Sequence, residues 1–231
     1  MVDVYGSTAV VTGGQRGLGK AIVDELLRRG AARVYATARK PAPDGDPRVV
    51  WVPCDVTDAD SVAELADTAS DATIVFNNAG TNASRPALLD GDWHDIRVVF
   101  ETNFFGVLRV TRAFAPILAR NGGGALIDIV SVLSWMSGTG AYGCSKAALW
   151  SATNSLRIAL KPQGTLVTGV YVGYIDADMT RDIEVAKAAA DEVAYVILDG
   201  VENDDSEILV DDLSRRVKAA LTGPPERLRL H

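Results

Sequence analysis

Short apolar runs alternate with longer amphipathic segments along most of the chain. Runs rich in β-branched residues predict strands at residues 8–11, 33–37, 49–52, 73–76, 125–130 and 165–172. Apolar residues at helical spacing predict helices at residues 21–27, 61–69, 93–118 and 145–160, of which 93–118 is one long helix or two joined ones. Repeated strand–helix–strand units favour parallel strands. The pattern therefore predicts an α/β fold, a Rossmann-type doubly wound parallel β-sheet in a three-layer α/β/α sandwich.

The pattern is weaker after the sixth strand. Residues 206–212 contain a short apolar run and residues 213–221 predict a helix, so a seventh strand is either short or absent. No stretch rich in Pro, Gly or Ser is long enough to separate two domains, and the proline-rich residues 41–47 fit a surface loop. We therefore expect residues 1–231 to form a single domain.

A glycine cluster joins the first strand to the first helix. It reads Thr12-Gly13-Gly14-Gln15-Arg16-Gly17-Leu18-Gly19. Glycines at this position let the backbone approach a pyrophosphate, and the helix that follows offers free N–H groups and the positive end of its dipole. An ordinary glycine-rich turn is the alternative. The context favours a dinucleotide site in which Gly13, Gly17 and Gly19 most need conformational freedom.

The residues after the second strand favour one dinucleotide over the other. NAD-binding folds usually place an acidic residue there, which holds the ribose 2′-hydroxyl. This chain has Arg39 and Lys40 instead, and Arg16 adds a cation within the glycine cluster. Because guanidinium groups bind phosphate bidentately, the pattern predicts NADP(H) as the cofactor. The alternative is that Arg39 and Lys40 only solvate a loop.

Composition narrows the classes of function. The formal net charge is -7, which argues against a nucleic-acid-binding surface. No apolar run is long enough to span a bilayer and no signal-peptide pattern begins the chain, so we expect a cytoplasmic protein. The two cysteines and two histidines lack metal-ligand spacing, so no metal site is expected.

Tyr142 and Lys146 form an i, i+4 pair near the start of a predicted helix. This spacing places both side chains on one helix face. A nearby ammonium stabilises tyrosinate and lowers the pKa of the tyrosine, which suits it for proton transfer near neutral pH. Taken alone, the pair also fits a tyrosine packed on the aliphatic stem of a lysine.

Several motifs in this order resemble the classical short-chain dehydrogenase/reductase family. They are the glycine cluster, Asn77-Asn78-Ala79-Gly80 after the fourth strand, Ser131 after the fifth, and Tyr142 with Lys146. The resemblance runs from about Val4 to about Met179. It implies an NADP(H)-dependent oxidoreductase, either a carbonyl reductase or a secondary alcohol dehydrogenase, that transfers hydride between the nicotinamide and a C=O or CH–OH group.

The resemblance also implies a role for each matching residue. Tyr142 is similar to the family's general acid/base, and Lys146 to the lysine that lowers its pKa and binds the nicotinamide ribose. Ser131 would orient and polarise the substrate oxygen, and Asn103 would hold a water in a proton relay behind Lys146. The residues expected to bind the cofactor are Gly13, Gln15, Arg16, Gly17, Leu18, Gly19, Arg39, Asp55, Val56, Asn78, Ala79, Gly80, Tyr142, Lys146, Gly173 and Ile175.

Some features depart from the family's pattern. The segment 131–142 looks shorter than usual, which makes Ser134 a rival for the serine role, although Ser131 follows the strand directly. Val172-Gly173 stands where the family usually has Pro-Gly, so we expect a freer backbone there. The end of the chain departs most. The resemblance implies a homo-oligomer, either a dimer or a tetramer.

The substrate pocket is expected outside the carboxyl ends of the strands. Its expected lining is Thr81, Asn82, Val132, Leu133, Trp135, Met136, Gly173, Tyr174, Met179 and the segment from there to about Ala190. Because several of these are apolar and no arginine is obviously placed for a carboxylate, we expect an uncharged ketone, aldehyde or secondary alcohol as substrate. The alternatives are a non-catalytic NADP-binding regulator, disfavoured by the intact residue set, and a sugar-nucleotide epimerase or dehydratase, disfavoured by the short tail.

Overall fold

The computed structural model describes residues 2–42, 45–82 and 85–229. Within them, a seven-stranded parallel sheet runs in the order β3-β2-β1-β4-β5-β6-β7. Its strands are β1 (Thr8–Val11), β2 (Arg33–Ala38), β3 (Val49–Pro53), β4 (Ile74–Asn77), β5 (Ala125–Ile129), β6 (Leu166–Tyr171) and β7 (Glu207–Leu209). Successive side chains of a strand point to opposite faces of the sheet, so each strand contributes residues to two different cores.

Helices cover both faces of the sheet. They are α1 (Gly17–Arg28), α2 (Ala59–Thr68), α3 (Trp93–Phe100), α4 (Val107–Arg120), α5 (Gly140–Leu160), α6 (Ala190–Glu202) and α7 (Asp212–Ala220). In β1, Ala9 and Val11 pack with α1 and α6 on one face, while Val10 packs with α2 and α4 on the other. The predicted doubly wound α/β/α architecture is confirmed.

The predicted elements agree with the structure except that two helices begin earlier than predicted, α1 at Gly17 and α5 at Gly140. Residues 93–118 form two helices joined by a π-helix (Glu101–Gly106), in agreement with the predicted alternative of two joined helices. The earlier start of α5 brings Tyr142 into its first turn. The seventh strand exists and is short. Residues 43 and 44 of the predicted surface loop lie outside the described residues.

The strand order reverses at β1. Its neighbours are β2 on one side and β4 on the other, and the chain leaves β1 and β4 at the same edge of the sheet. In open parallel sheets, this reversal leaves a crevice beyond the carboxyl ends of the strands, where ligands bind. The glycine cluster follows β1 and the Asn77–Gly80 motif follows β4, so the sequence motifs meet at this crevice.

Arg29 ties the end of α1 to α6 and is almost fully buried, with 8% of its side chain exposed. Its guanidinium contacts Glu25 at 2.6 Å, Asp199 at 2.8 Å and Glu202 at 2.6 Å. It also lies 5.0 Å from the centroid of the Tyr195 ring. Glu25 also pairs with Arg28 at 2.6 Å, so the loss of Arg29 would remove the described ion-pair partner of Asp199 and Glu202 but not that of Glu25.

We expect Arg29→Met to lower the free energy of unfolding by about 2 kcal/mol, less than for a fully buried ion pair, because Glu25 keeps Arg28 and the other two carboxylates are partly exposed. Urea denaturation measures this loss. Lys20→Met is the matched control: it breaks the exposed Lys20–Asp24 pair in the same helix and should cost less than about 1 kcal/mol. Equal losses in the two variants would contradict the assignment of Arg29 as the tie between α1 and α6.

Candidate active site

The glycine cluster forms a tight turn against the start of α1. Gly13 and Gly17 have positive φ values of 67° and 53°. A Cβ on Gly19 would lie 2.2 Å from the carbonyl oxygen of Gly13, so a larger residue does not fit there. All of α1 is described, and it has neither a side-chain cap nor an acidic residue in its first turn. Its N–H groups are therefore free for an anion.

Thr12 joins this loop to the segment that follows β4. Its hydroxyl donates to the carbonyl of Phe76 at 3.1 Å and accepts from the backbone N–H groups of Asn78 and Ala79. The Asn78 amide donates to the carbonyl oxygens of Thr12 at 2.8 Å and Gly13 at 3.2 Å. The sequence motifs included Thr12, but its linking role depends on a contact between distant segments.

The predicted adenine end of the site lies beyond β2 and β3. Arg39 is exposed, and its positive charge acts on Asp55. Burial works to raise the pKa of Asp55, but hydrogen bonds from Thr57 and the charge of Arg39 outweigh it and lower that pKa. Arg16 is exposed as well and contacts Asp178 at 3.3 Å. Both arginines are therefore accessible, and the charge of Arg39 is near enough to lower the pKa of Asp55.

The remaining predicted cofactor residues occupy the same edge of the sheet. Gln15 accepts from the backbone N–H of Ala42 at 3.0 Å. Leu18 and Val56 are buried, with 7% of each exposed, so they offer mainly backbone atoms to a ligand. Gly80 lies close to two catalytic candidates, since a Cβ there would be 3.3 Å from Asn103 Oδ1 and 3.9 Å from Lys146 Nζ.

Ser131 and Tyr142 meet at the carboxyl end of β5. The Ser131 hydroxyl is a hydrogen-bond partner of the Tyr142 phenol and also accepts from the backbone N–H of Leu133 at 3.1 Å. The rival Ser134 is buried, and its hydroxyl donates to the carbonyl of Ser131 at 2.7 Å. The geometry therefore favours Ser131 over Ser134 as the side chain that faces the tyrosine.

Burial governs the pKa values of Tyr142 and Lys146. It raises the pKa of Tyr142 to about 12, with a lowering effect from Ser131 and a raising effect from Tyr174. It lowers the pKa of Lys146 to about 8, against a raising effect from Asp128. The Tyr142 pKa is therefore raised overall, not lowered as the sequence suggests, because desolvation of the phenolate outweighs the lowering effect of Ser131.

Lys146 nevertheless lies beside the tyrosine. Its Nζ donates to the carbonyl of Ile129 at 2.7 Å and lies 5.9 Å from the centroid of the Tyr142 ring. The two side chains share one face of α5, as the i, i+4 spacing predicts. Lys146 is buried, with 4% exposed, so it is a fixed part of the site rather than a surface charge.

Asn103 sits in the π-helix and is fully buried. Its amide nitrogen donates to the carbonyl of Thr81 at 2.8 Å and to the Ser145 hydroxyl at 3.1 Å, while its Oδ1 accepts from the N–H of Thr81 at 2.8 Å. Ser145 in turn donates to the carbonyl of Tyr142 at 2.7 Å. Asn103 thus links the turn after β4 to the helix that carries the tyrosine. A π-helix often marks a functional position.

The turn after β6 is held from both sides. The carbonyl of Val172 accepts from the N–H of Val132 at 3.1 Å, and the N–H of Gly173 donates to Asp211 at 2.7 Å. The backbone expected to be freer without proline is therefore tied down by hydrogen bonds. Ile175 then forms an isolated parallel bridge with Ala188.

Two residues expected in the pocket lining are instead part of a core. Val132 is fully buried and Trp135 is 5% exposed. Trp135 stacks on Tyr171 with ring centroids 4.2 Å apart. The expectation that Val132 and Trp135 line the pocket is wrong, because both turn toward the sheet. Asn82 and Met179 do lie together, since the Asn82 amide donates to the Met179 carbonyl at 3.2 Å.

A buried carboxylate lies below Lys146 and was not foreseen from the sequence. Asp128 is fully buried, and its two oxygens accept from Asn77 at 2.9 Å and from Thr153 at 2.7 Å. Burial raises the pKa of Asp128, and those hydrogen bonds and the charges of Lys146 and Arg157 only partly oppose it. The sequence signal for this buried carboxylate is a charged residue within the apolar run Ala-Leu-Ile-Asp-Ile of β5.

Asp128→Asn should make the protein relatively more stable as the pH rises. The raised pKa means that the folded chain binds a proton more tightly than the unfolded chain, so wild-type stability falls as pH rises through the interval between the two pKa values. Asparagine keeps the shape and cannot ionise, so the advantage of the variant should grow above about pH 4. Urea denaturation across this pH range measures it.

Asp67→Asn is the control for Asp128→Asn, because it removes an exposed carboxylate from α2. The same gain in stability with pH in both variants would contradict a role for burial at Asp128.

Comparison with known proteins agrees with this geometry. Residues 7–188 match the family described as short chain dehydrogenase. The chain belongs to the short-chain dehydrogenase family. Members of this family are oxidoreductases that act on CH–OH and C=O groups with a nicotinamide cofactor.

Three similar proteins illustrate the relationship. A short chain dehydrogenase from Burkholderia cenocepacia J2315, solved in complex with NADP, is 35% identical, has a TM-score of 0.92, and covers 98% of this chain and 97% of its own. The 1-deoxy-11-beta-hydroxypentalenate dehydrogenase of Streptomyces exfoliatus is 31% identical, over 95% of this chain and 93% of its own length. The short-chain dehydrogenase PC-15 of Penicillium crustosum is 36% identical over 73% of this chain, and the match spans 65% of that protein's length.

Among the described residues, no helix is both long enough and apolar enough to cross a bilayer.

Proposed function

We propose that the protein is an NADP(H)-dependent carbonyl reductase, or a secondary alcohol dehydrogenase in the reverse direction. The observation that carries this proposal is the meeting of Ser131, Tyr142 and Lys146 at the edge of the sheet from which the glycine cluster also extends. A proton donor, a hydrogen-bonding partner and a cation thus lie together next to a dinucleotide crevice. This is the combination that reduction of a carbonyl group requires.

The residues present fit a dinucleotide. The uncapped start of α1 suits a pyrophosphate, and a Cβ at Gly19 would fill the space that the tight loop needs. Arg16 and Arg39 are accessible cations for a 2′-phosphate, and Asp55 would face the adenine end. Lys146 would hold the nicotinamide ribose, with Gly173 and Ile175 near the nicotinamide. When bound, NADPH supplies the hydride that reduces the carbonyl carbon.

The chain's own residues supply the proton. Because burial raises the pKa of Tyr142 to about 12, the phenol keeps its proton at neutral pH and can donate it to a carbonyl oxygen. Ser131 would hydrogen-bond the same oxygen. The charge of Lys146 would stabilise the phenolate that remains. A new proton would reach the phenolate through Lys146 and a water molecule. An oxygen of Asn103 would hold this water, since both amide hydrogens of Asn103 already donate to Thr81 and Ser145.

The substrate we propose is an uncharged ketone, aldehyde or secondary alcohol. Tyr174 acts electrostatically on Tyr142, so the described surroundings of the phenol include a second aromatic side chain. The arginine in this segment, Arg181, is paired with Asp178. A substrate carboxylate would have to compete for it.

A panel of carbonyl compounds tests this proposal, with NADPH oxidation followed spectrophotometrically. We expect turnover of uncharged ketones or aldehydes and little turnover of their carboxylate analogues. No turnover of any uncharged compound, together with rapid turnover of a carboxylate, would contradict the substrate class.

The cofactor preference is expected to depend on Arg39. Arg39→Ala should raise the KM for NADPH by about tenfold to a hundredfold and change the KM for NADH little, because a charge-assisted hydrogen bond to the 2′-phosphate is worth about 1.5–3 kcal/mol. Steady-state kinetics with both cofactors measures the ratio. Arg120→Ala removes an exposed arginine at the far end of α4 and serves as the control. An unchanged ratio for Arg39→Ala would overturn this assignment.

A further inference from the structure

One peptide group joins two sides of the active site. It is the peptide between Val172 and Gly173, which follows β6. Its C=O accepts from the N–H of Val132, the residue after Ser131, at 3.1 Å. Its N–H donates to Asp211 Oδ2 at 2.7 Å. With both polar groups bonded, the plane of this peptide cannot rotate without losing one of them.

Asp211 uses both carboxylate oxygens. Oδ2 accepts from Gly173, and Oδ1 accepts from the N–H of Ser214 at 2.7 Å, which caps the start of α7. The contact with Gly173 is close, since a Cβ there would lie 3.0 Å from Oδ2. Hydrogen bonds to a carboxylate are about twice as strong as those between neutral groups. Asp211 thus connects the turn at Gly173 to the start of α7.

The same part of the chain also contacts the segment between Ser131 and Tyr142. The N–H of Ser137 donates to the carbonyl of Leu228 at 2.7 Å. The ammonium of Lys218 lies 5.0 Å from the centroid of the Trp135 ring. Residues 211–229 therefore touch both the turn after β6 and the segment 131–142, while none of these contacts involves the glycine cluster.

We propose that Asp211 is a positioning residue for the nicotinamide half of the site. It holds the Val172–Gly173 peptide in the orientation in which the peptide carbonyl accepts from the N–H of Val132, the residue after Ser131. The inference rests on the proposed function, in which Gly173 lies near the nicotinamide. We expect binding of the adenine half of the cofactor not to depend on Asp211, because that half of the site is built by the segments after β1, β2 and β3.

The test compares Asp211→Ser with Asp212→Ser in the full chain. Serine caps a helix about as well as aspartate, so Asp211→Ser keeps the hydrogen bond to Ser214 but is too short to reach Gly173 as well. Asp212 is the matched control, because it is an exposed carboxylate in the same helical turn that pairs only with Arg215 among its described ion pairs. Urea denaturation of each variant checks that the fold is retained.

Binding of two ligands is measured by fluorescence titration and calorimetry. One is NADPH, and the other is 2′-phospho-ADP-ribose, which lacks the nicotinamide. We expect Asp211→Ser to weaken NADPH binding about tenfold, the size of one charge-assisted hydrogen bond, and to leave binding of the fragment unchanged. In steady-state assays kcat should fall as well, because the nicotinamide is less well oriented. Asp212→Ser should bind both ligands as the wild type does.

Three results would overturn the inference. Asp211→Ser could bind NADPH as tightly as the wild type, or lose affinity equally for both ligands, or behave like Asp212→Ser. Failure of the wild type to bind NADPH would overturn the proposed function and this inference with it. Normal wild-type binding with an unaffected Asp211→Ser would overturn this inference alone.

Discussion

Tyr142→Phe is expected to lower kcat for carbonyl reduction by about two to four orders of magnitude, the range that a positioned general acid contributes. The substitution removes only the hydroxyl, which is protonated at neutral pH with a pKa raised to about 12 by burial. The aromatic ring stays beside Lys146, so the packing of α5 is preserved. NADPH binding should remain within a few fold, because pyrophosphate binding belongs to the glycine cluster. Steady-state kinetics and a fluorescence titration measure the two quantities.

Tyr195→Phe is the control for this prediction. Tyr195 lies half-exposed on α6, where it packs against Arg28 and Arg29, and should keep full activity when its hydroxyl is removed. If Tyr142→Phe retained wild-type kcat, the phenol could not be the proton donor. If it lost NADPH binding to the same degree as activity, the loss would report on cofactor binding rather than on proton transfer.

Gly19→Ala is expected to weaken NADPH binding by about a hundredfold. A Cβ at this position would lie 2.2 Å from the Gly13 carbonyl oxygen and 2.5 Å from the Asn78 amide nitrogen, so the loop and the segment after β4 must both move. The moved loop no longer presents its N–H groups to the pyrophosphate, and the loss of one or two charge-assisted hydrogen bonds accounts for this factor. Calorimetric titration with NADPH measures it.

Gly223→Ala is the matched control, because a Cβ there would have its nearest contact at 3.2 Å and the residue lies after α7. It should bind NADPH normally. Wild-type affinity in Gly19→Ala would show that the close approach at Gly19 serves packing and not the cofactor.

Local patterns predicted most of the fold. The pattern of apolar residues located β1 to β6 and helices α1 to α5, because a buried parallel strand and an amphipathic helix each have a distinct period. The same information placed the glycine cluster between β1 and α1. The weak point was the end of the chain, where β7 has only the three residues Glu207–Leu209 and depends on β6 for its pairing.

The site was only partly predictable. The motifs identified Ser131, Tyr142 and Lys146, and the structure brings them together. The π-helix at Asn103 was missed because one wide turn barely changes the apolar period of a helix. The direction of the Tyr142 pKa shift was wrong because burial depends on packing between distant segments. The contact of Asp211 with Gly173 could not be predicted, because it joins residues far apart in the chain. The assembly into dimers or tetramers stays a prediction.

Hydride transfer itself can be followed with NADPH that carries deuterium at the reactive nicotinamide carbon. The enzyme is incubated with an uncharged ketone that it consumes, and the product alcohol is analysed by mass spectrometry. We predict that deuterium from one face of the nicotinamide appears on the carbinol carbon with the wild type, and that Tyr142→Phe forms the labelled alcohol far more slowly. NADPH consumption without deuterium in the product, or label formed equally fast by Tyr142→Phe, would contradict the account.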